Sequence, residues 1–172
     1  MDVRYNRLKL ERLGFDDLGW AYAYWRGKCQ GRWAPAWPDI DLAAVPPPVL
    51  PRVCVIDVKT APTDFVYRFW GTRITDMHHY DLTGRSVRRL TPPEYAECIW
   101  RQYLEVYETK SPAAFLTEVP LDIGAHAYYA VVRMPLSADL ETVDTILSVE
   151  QYGDQSGELK EIFEKQWRDD QG

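Results

Sequence analysis

The sequence predicts an α+β fold, with a five-stranded antiparallel sheet, helices on one face of the sheet and a further helix at each end of the chain. The first reason is the order of local patterns, which reads helix, two strands, helices, three strands, helix. The second is composition, because the strand segments are rich in β-branched and aromatic residues and are separated by turn residues. The third is length, since 172 residues suffice for one domain with appended helices and are too few for two ordinary domains.

The N-terminal helix begins where Asp16 or Asp17 can cap it, and we expect it to end near Gly27 or Gly31. Its apolar residues recur at three- and four-residue spacing, as a helix with one buried face requires. Residues 33–51 contain six prolines, which exclude regular helix and central strand. An extended connector is therefore expected between the helix and the sheet.

Residues 53–58 and 65–71 are predicted to form a hairpin, because two strand-like runs flank the turn-forming residues 59–64. Residues 73–80 form a short helix or turn. Thr91-Pro92-Pro93-Glu94 is a helix start in which Thr91 caps and Pro92 takes the first helical position. That helix runs to about Thr109, and its apolar stripe is Tyr95, Ile99, Tyr103, Val106 and Tyr107.

The remaining strand signals cover residues 114–121, 126–136 and 142–152, and an amphipathic helix is predicted from Ser156 onward. Apolar residues occur on both sides of the strands: Phe65, Tyr67 and Phe69 on one face, Val66 and Trp70 on the other. Both faces must therefore be covered, since a bare apolar sheet face is unusual in a monomer. The central helices cover one face. The outer face needs the N-terminal helix, the tail helix or a second subunit.

The net charge of −6 disfavours nucleic acid and acidic membranes as partners, because the long-range field repels polyanions. No run approaches the length of a membrane span and no signal peptide is present, so we expect a cytoplasmic protein. Cys29, Cys54 and Cys98 are odd in number and widely spaced, which argues for reduced structural thiols.

Few residues indicate chemistry. No nucleophile–base arrangement, paired carboxylate site or phosphate-binding glycine loop is present, so we expect no enzyme and assign no catalytic residue. His78 and His79 are adjacent, point about 100° apart in a helix and lack a third ligand at suitable spacing, so no metal site is expected. Two further sets stay open between a site and a plain structural role. The first set consists of arginines that could bind an anion or form ordinary salt bridges: Arg73, Arg85, Arg88 and Arg89. The second consists of aromatic residues that could line a ligand cavity or simply form the core: Tyr67, Trp70, Tyr80, Trp100, Tyr103 and Tyr129.

A series of short motifs resembles the PAS domain family, in particular the PAS-like single-domain proteins of alphaproteobacteria. The resemblance covers roughly residues 20–150. The motifs, in order, are Tyr24-Trp25, Gly31-Arg32, Asp39-Ile40-Asp41, Leu50-Pro51, Asp57, Tyr67-Arg68, Gly71-Thr72 and Asp81 to Arg85. Two positions depart from the family pattern: Trp37 stands where an Arg is expected, and Leu42 where a Pro is expected.

The resemblance implies a bacterial sensory domain with three parts: an N-terminal helix and connector over residues 1–51, a PAS-like core over 52–153 and a C-terminal helix over 154–172. It implies a small-molecule ligand, of unknown identity, between the inner sheet face and the helices. The candidate ligand-binding residues are Tyr67, Phe69, Arg73, Met77, His78, Tyr103 and Tyr129. Haem ligation through His78 or His79 is a minor alternative. The flavin-binding motif Asn-Cys-Arg-Phe of photosensory relatives is missing, so flavin photochemistry is not expected.

Because no output domain is expected after the tail, the resemblance further implies signalling to a separate regulator protein or within a homodimer. Candidate interface residues are Trp20, Tyr24, Trp25 and Trp70. The alternative is a module that binds no ligand and serves only for homodimerisation or protein docking.

Overall fold

The computed structural model describes residues 3–13, 16–120 and 126–153, together with the single residues 161 and 165. Six strands and three α-helices are described. They are β1 (Tyr5–Leu8), α1 (Asp16–Cys29), β2 (Val53–Lys59), β3 (Asp64–Trp70), α2 (Thr72–His78), α3 (Pro93–Thr109), β4 (Ala113–Pro120), β5 (His126–Leu136) and β6 (Thr145–Tyr152). The predicted tail helix from Ser156 lies outside the residues that can be described.

The strands form one antiparallel sheet in the order β1-β4-β5-β6-β2-β3. The predicted α+β class and antiparallel arrangement are confirmed, and the sheet has six strands instead of five. The additional strand, β1, pairs along the edge of β4, with Tyr5 opposite Thr117. Its four residues include Asn6 and Arg7 and are too few to show a strand periodicity in the sequence.

A bulge in the β2–β3 pair changes which side chains of β3 face inward. Val55 lies opposite Phe69 and Ile56 opposite Tyr67, so Arg68 is left between two pairs. Trp70 consequently packs on the inner face with Phe65 and Tyr67, whereas Phe69 packs on the outer face. The predictions that Phe69 is an inner residue and Trp70 an outer one are wrong, because strict alternation does not continue through a bulge.

Both faces of the sheet are covered, as predicted. On the outer face α1 buries Leu18, Ala21, Trp25 and Cys29, which recur along one side of the helix. The indole Nε1 of Trp25 donates to the carbonyl oxygen of Pro135 at 2.8 Å and so anchors α1 to β5. On the inner face α3 lies across the centre of the sheet.

The connector is tied to the end of α1 by Arg32. Its guanidinium donates to the carbonyl oxygens of Lys28 and Cys29 and to the carboxylate of Asp39, at 2.8–3.1 Å. After the helix ends at Cys29, Gln30 (φ 50°) and Gly31 (φ 84°) both adopt the left-handed conformation, which favours the glycine of this motif. The Gly31-Arg32 and Asp39 motifs therefore have a structural role.

The loop from Asp81 to Arg85 lies along the free edge of β3. The amide of Tyr67 donates to the carbonyl of Arg85 at 3.0 Å, and the amide of Gly84 donates to the carbonyl of Tyr67 at 2.7 Å. Gly84 has a φ of 77°, which explains the glycine of this motif. The loop satisfies backbone groups that an edge strand otherwise leaves unpaired.

Helix α3 starts one residue later than predicted. Pro93 is the first helical residue and Pro92 the cap position, with no side-chain cap hydrogen bond. The Thr91 hydroxyl instead lies 3.3 Å from the Tyr80 hydroxyl. The predicted stripe is correct for Tyr95, Ile99, Tyr103 and Val106, which are buried, whereas Tyr107 is only partly buried. None of the described helices combines the length and apolar composition needed to cross a bilayer.

Substituting Gly71 is predicted to destabilise the fold. A Cβ there would lie 2.2 Å from the carbonyl oxygen of Pro51 and 2.9 Å from that of Val53, both rigid backbone atoms. We expect Gly71→Ala to lower the free energy of unfolding by about 2 kcal/mol or more through overpacking. Gly27→Ala is the control, because nothing lies within 4 Å of its Cβ position and alanine favours helix. Urea denaturation measures both, and an unchanged Gly71→Ala midpoint would contradict the contact.

Candidate functional site

A network of buried polar side chains lies between α3 and the centre of the sheet. Arg133 on β5 has no solvent exposure. Its Nε and Nη2 atoms both donate to Oε1 of Gln102, at 3.0 and 2.8 Å, and its Nη1 donates to the Ser148 hydroxyl at 3.2 Å. The guanidinium carbon lies 4.0 Å from the centre of the Tyr103 ring, a close cation–π contact.

Gln102 connects this cation to the rest of the sheet. Its Nε2 donates to the Thr117 hydroxyl at 2.9 Å and lies 3.7 Å from the Cys98 sulfur. Thr117, Arg133 and Ser148 belong to β4, β5 and β6 respectively. One amide side chain on α3 thereby joins the helix, directly or through Arg133, to three neighbouring strands.

Among the described residues, no carboxylate lies within 4 Å of the Arg133 guanidinium. Glu150 is the nearby acidic residue of β6 and is 6% exposed. Burial raises the pKa of its carboxyl group, while the Tyr152 hydroxyl, which donates to it, and Arg133 act in the opposite direction. The inner face thus contains a cation held by neutral groups and a separate carboxyl group.

Buried tyrosines extend the polar network toward the end of the sheet. The hydroxyl groups of Tyr95 and Tyr129 are 3.0 Å apart, and the Tyr129 ring centre is 5.8 Å from that of Tyr152. Burial raises the pKa of Tyr95, Tyr129 and Tyr152 well above the ordinary value, so all three are protonated at neutral pH. They act as neutral hydrogen-bonding groups.

His78, the last residue of α2, sits within a group of aromatic rings. Its imidazole centre lies 5.5 Å from those of Trp70 and Tyr80 and 5.7 Å from that of Tyr95. Burial, with a smaller effect of His79, lowers the pKa of His78 to about 4, so the ring is neutral at neutral pH. Trp70 is 5% exposed, and its Nε1 has no hydrogen-bond partner among the described residues.

A family model for the PAS domain matches residues 18–150. The chain belongs to the PAS domain family. No curated protein matches it.

Solved structures agree with the PAS assignment at the level of the fold. The dark-state structure of the blue-light photoreceptor aureochrome1 LOV domain has a TM-score of 0.54 at 13% identity, covering 77% of this chain and 96% of that one. A light-oxygen-voltage domain studied with a flavin analogue has a TM-score of 0.51 at 14% identity, covering 68% of this chain and 87% of that one. At such identities the likeness shows a common fold and leaves the ligand undecided.

The seven candidate ligand residues fall into two groups. Tyr67, Tyr103 and Tyr129 are brought together on the inner face, with His78 at the margin of the same region. The other three lie elsewhere: Phe69 packs on the outer face, Met77 is 41% exposed, and Arg73 lines a surface cleft. A direct ligand contact therefore stays a prediction for the first group, and the geometry gives no support for the second.

The four candidate interface residues are also divided. Trp25 and Trp70 are 4% and 5% exposed, because each packs inside the domain. Trp20 and Tyr24 are partly exposed and stack on one another with ring centres 5.2 Å apart. Of the four candidates, this stacked pair alone presents partly exposed aromatic surface.

Sequence reasoning missed the polar residues of the PAS core: Arg133, Gln102, Ser148 and Glu150. A signal was present. Arg133 follows Tyr129 and Val131 at two-residue spacing on β5, and Gln102 follows Ile99 by three residues on α3, so both are in phase with buried neighbours. A polar residue in a buried phase indicates a satisfied internal network or a site.

A surface cleft of about 450 Å³ lies beside the end of β6. Arg52 forms an ion pair with Asp17 there, and Gln151 Oε1 is buried without a hydrogen-bond partner among the described residues. Tyr152, which donates to Glu150, reaches the same cleft. The cleft therefore adjoins the outer end of the tyrosine network.

Two members of the arginine group, Arg73 and Arg88, lie in different surroundings. Arg88 lies 3.6 Å from Glu97 and its guanidinium covers the Trp100 ring at 4.4 Å, whereas Arg73 lines the cleft. Within residues 3–13, 16–120 and 126–153, no three His, Cys, Asp or Glu side chains are grouped as metal ligands.

Removing the buried Arg133 guanidinium is predicted to lower the free energy of unfolding. Arg133→Met leaves Oε1 of Gln102 and the Ser148 hydroxyl without their donor, so we expect a loss of about 3 kcal/mol in the free energy of unfolding. Arg101→Met on α3 is the control, because its ion pair with Glu97 is exposed at the surface and contributes little to stability. Equal losses in urea denaturation would refute a special role for Arg133.

His78 is predicted to make stability depend on pH between about 6.5 and 4. As the pH falls, the unfolded chain binds a proton on this imidazole before the folded chain does, because the pKa is lower in the folded state. Stability is therefore full above pH 6.5 and declines toward pH 4, by about 3 kcal/mol at most for a shift of this size. His78→Gln should lack this pH-dependent loss of stability, because glutamine does not titrate. Urea midpoints of both proteins at pH 7.5 and 4.5 test it, and a parallel decline in the two would contradict the assignment.

Proposed function

We propose that this PAS domain is a sensory module that binds a small molecule at its inner face and transmits the bound state to a separate protein. The observation that carries the proposal is the Arg133–Gln102 network within an otherwise aromatic and aliphatic core. Ligand sites are mostly apolar with a small number of placed polar groups, and this region has that composition. We expect signalling to take place in the cytoplasm, with a regulator protein or a second copy of the chain as partner.

The network offers a physical route from the inner face to the outer one. Val132 and Met134 flank Arg133 on β5 and point to the opposite side, into the core beneath α1. Displacing α3 changes the contacts of Gln102 with Arg133, and β5 carries that change toward α1. Such a response requires that the ligand bind one arrangement more tightly than the other.

The partly exposed pair Trp20 and Tyr24 is the surface of α1 where such a change can be read by a partner. The Tyr24 hydroxyl also accepts from the backbone amide of Asp41 at 2.9 Å, which couples this surface to the connector. Aromatic residues that are half exposed are enriched in protein interfaces.

A second candidate function is that of a ligand-free homodimerisation or docking module. The observation in its favour is that the inner face is closely filled by its own side chains, since Phe65, Ile99, Tyr103 and Val131 are each at most 2% exposed. In this case the network serves only to fix the core.

Ligand binding is tested on the full chain by native mass spectrometry after gentle purification, followed by thermal shifts with fractions of a cell metabolite extract. We expect an adduct mass, or a fraction that raises the melting temperature. Tyr129→Phe should weaken ligand binding about tenfold, because it removes a hydroxyl group from the inner face. Tyr24→Phe on α1 is the matched control.

The absence of both an adduct and any stabilising fraction would contradict the sensory proposal. Light scattering at micromolar concentration then tests the second candidate, which requires a dimer that Trp20→Ala disrupts.

A further inference from the structure

Within the described part of the chain, the indole of Trp70 is a buried hydrogen-bond donor without an acceptor. The side chain is 5% exposed, and Nε1 has no partner among the described residues. Buried tryptophan N–H groups ordinarily find an acceptor. An unpaired donor in this position therefore indicates an acceptor from outside the described residues, and a bound molecule can supply one.

The rings around Trp70 define the shape that an added acceptor group must have. Tyr67 packs edge-on against the indole, with ring centres 4.5 Å apart and an interplanar angle of 88°. His78 lies 5.5 Å away on a tilted plane and is itself stacked on Tyr95 at 5.7 Å. Flat faces and edges of this kind favour a planar aromatic occupant in the place that the imidazole fills.

The charge of the occupant follows from the donors that are already engaged. Arg133 is held by Gln102 and Ser148, and the hydroxyls of Tyr95 and Tyr129 pair with one another. An anion beside Trp70 would instead be surrounded by the neutral rings of Tyr67, His78 and Tyr80, and burying an unpaired charge is costly. An uncharged acceptor needs only the Trp70 donor that is unused.

Helix α2 is the element that covers this donor, and it is weakly held. Of its seven residues only Ile74 is buried, and Met77 is 41% exposed. The His78 ring makes no hydrogen bond within the described part of the chain. Elements with few buried apolar contacts open at low free-energy cost.

We propose that the inner site admits an uncharged, planar aromatic molecule bearing a hydrogen-bond acceptor, which displaces the His78 ring and accepts from Trp70 Nε1. The inference rests on the proposed sensory function and names the ligand class for it. It makes the last turn of α2 the lid of the site.

The test uses the full chain labelled with ¹⁵N-tryptophan, whose seven indole signals include that of Trp70. Three probes are compared: coumarin, a flat uncharged ring pair with a carbonyl acceptor; naphthalene, of similar shape without the acceptor; and coumarin-3-carboxylate, the charged analogue. We expect coumarin to move the Trp70 N–H proton downfield, and the other two to bind at least tenfold more weakly. No movement of that signal, or equal binding of the carboxylate, overturns the proposal.

Two substitutions separate contact from general damage. Trp70→Phe should assign the signal and weaken the binding of coumarin at least tenfold. Trp37→Phe, the same change in the connector on the outer side of the sheet, should leave the affinity for coumarin unaltered. His78→Ala removes the covering ring and should raise the affinity for coumarin severalfold. An unchanged affinity would contradict the role of α2 as a lid. If metabolite fractions stabilise the protein without moving the Trp70 signal, the ligand class fails while the sensory function stands.

Discussion

Arg133 imposes the strongest physical constraint on this structure. A guanidinium cannot be neutralised by losing its proton, so its burial requires groups that satisfy its donors. Among the described residues, Gln102 and Ser148 accept from three of its five N–H groups, the Tyr103 ring covers its face, and no carboxylate lies within 4 Å. Because Gln102 and Tyr103 lie on α3, the helix must sit at one position over the sheet. The position of α3 in turn determines how the inner-face tyrosines and the rings around His78 pack.

The sheet separates two cores that the same strands connect. Residues of β5 alternate between the inner core, where Val131 and Arg133 lie, and the outer core, where Val132 and Met134 lie. Packed interiors transmit displacement because they have few voids to absorb it. An event at the inner face therefore has a direct mechanical path to α1, and the bulge at Arg68 adds Trp70 to the inner side of that path.

The order of elements, the hairpin, the α3 stripe and the coverage of both sheet faces follow from periodicity in the sequence, because burial repeats every two or 3.6 residues. Other features depend on partners distant in sequence. Strand β1 is too short to show a period, and nothing local in FVYRFW reports that Arg68 is left out of register. Likewise Arg133 reads as a charge in a strand until Gln102, 31 residues earlier, is placed against it.

The motifs that identify the family explain why the likeness names a fold and leaves the ligand open. Gly31, Arg32 and Asp39 join the connector to α1, and the loop from Asp81 to Arg85 closes the edge of β3. These residues hold the frame at its periphery. Of the groups that face the inner site, Tyr67 belongs to the motifs, whereas Trp70, His78 and Arg133 lie outside them. The frame can stay constant while the inner side chains change, so the chemistry of recognition must be determined from the core of each chain separately.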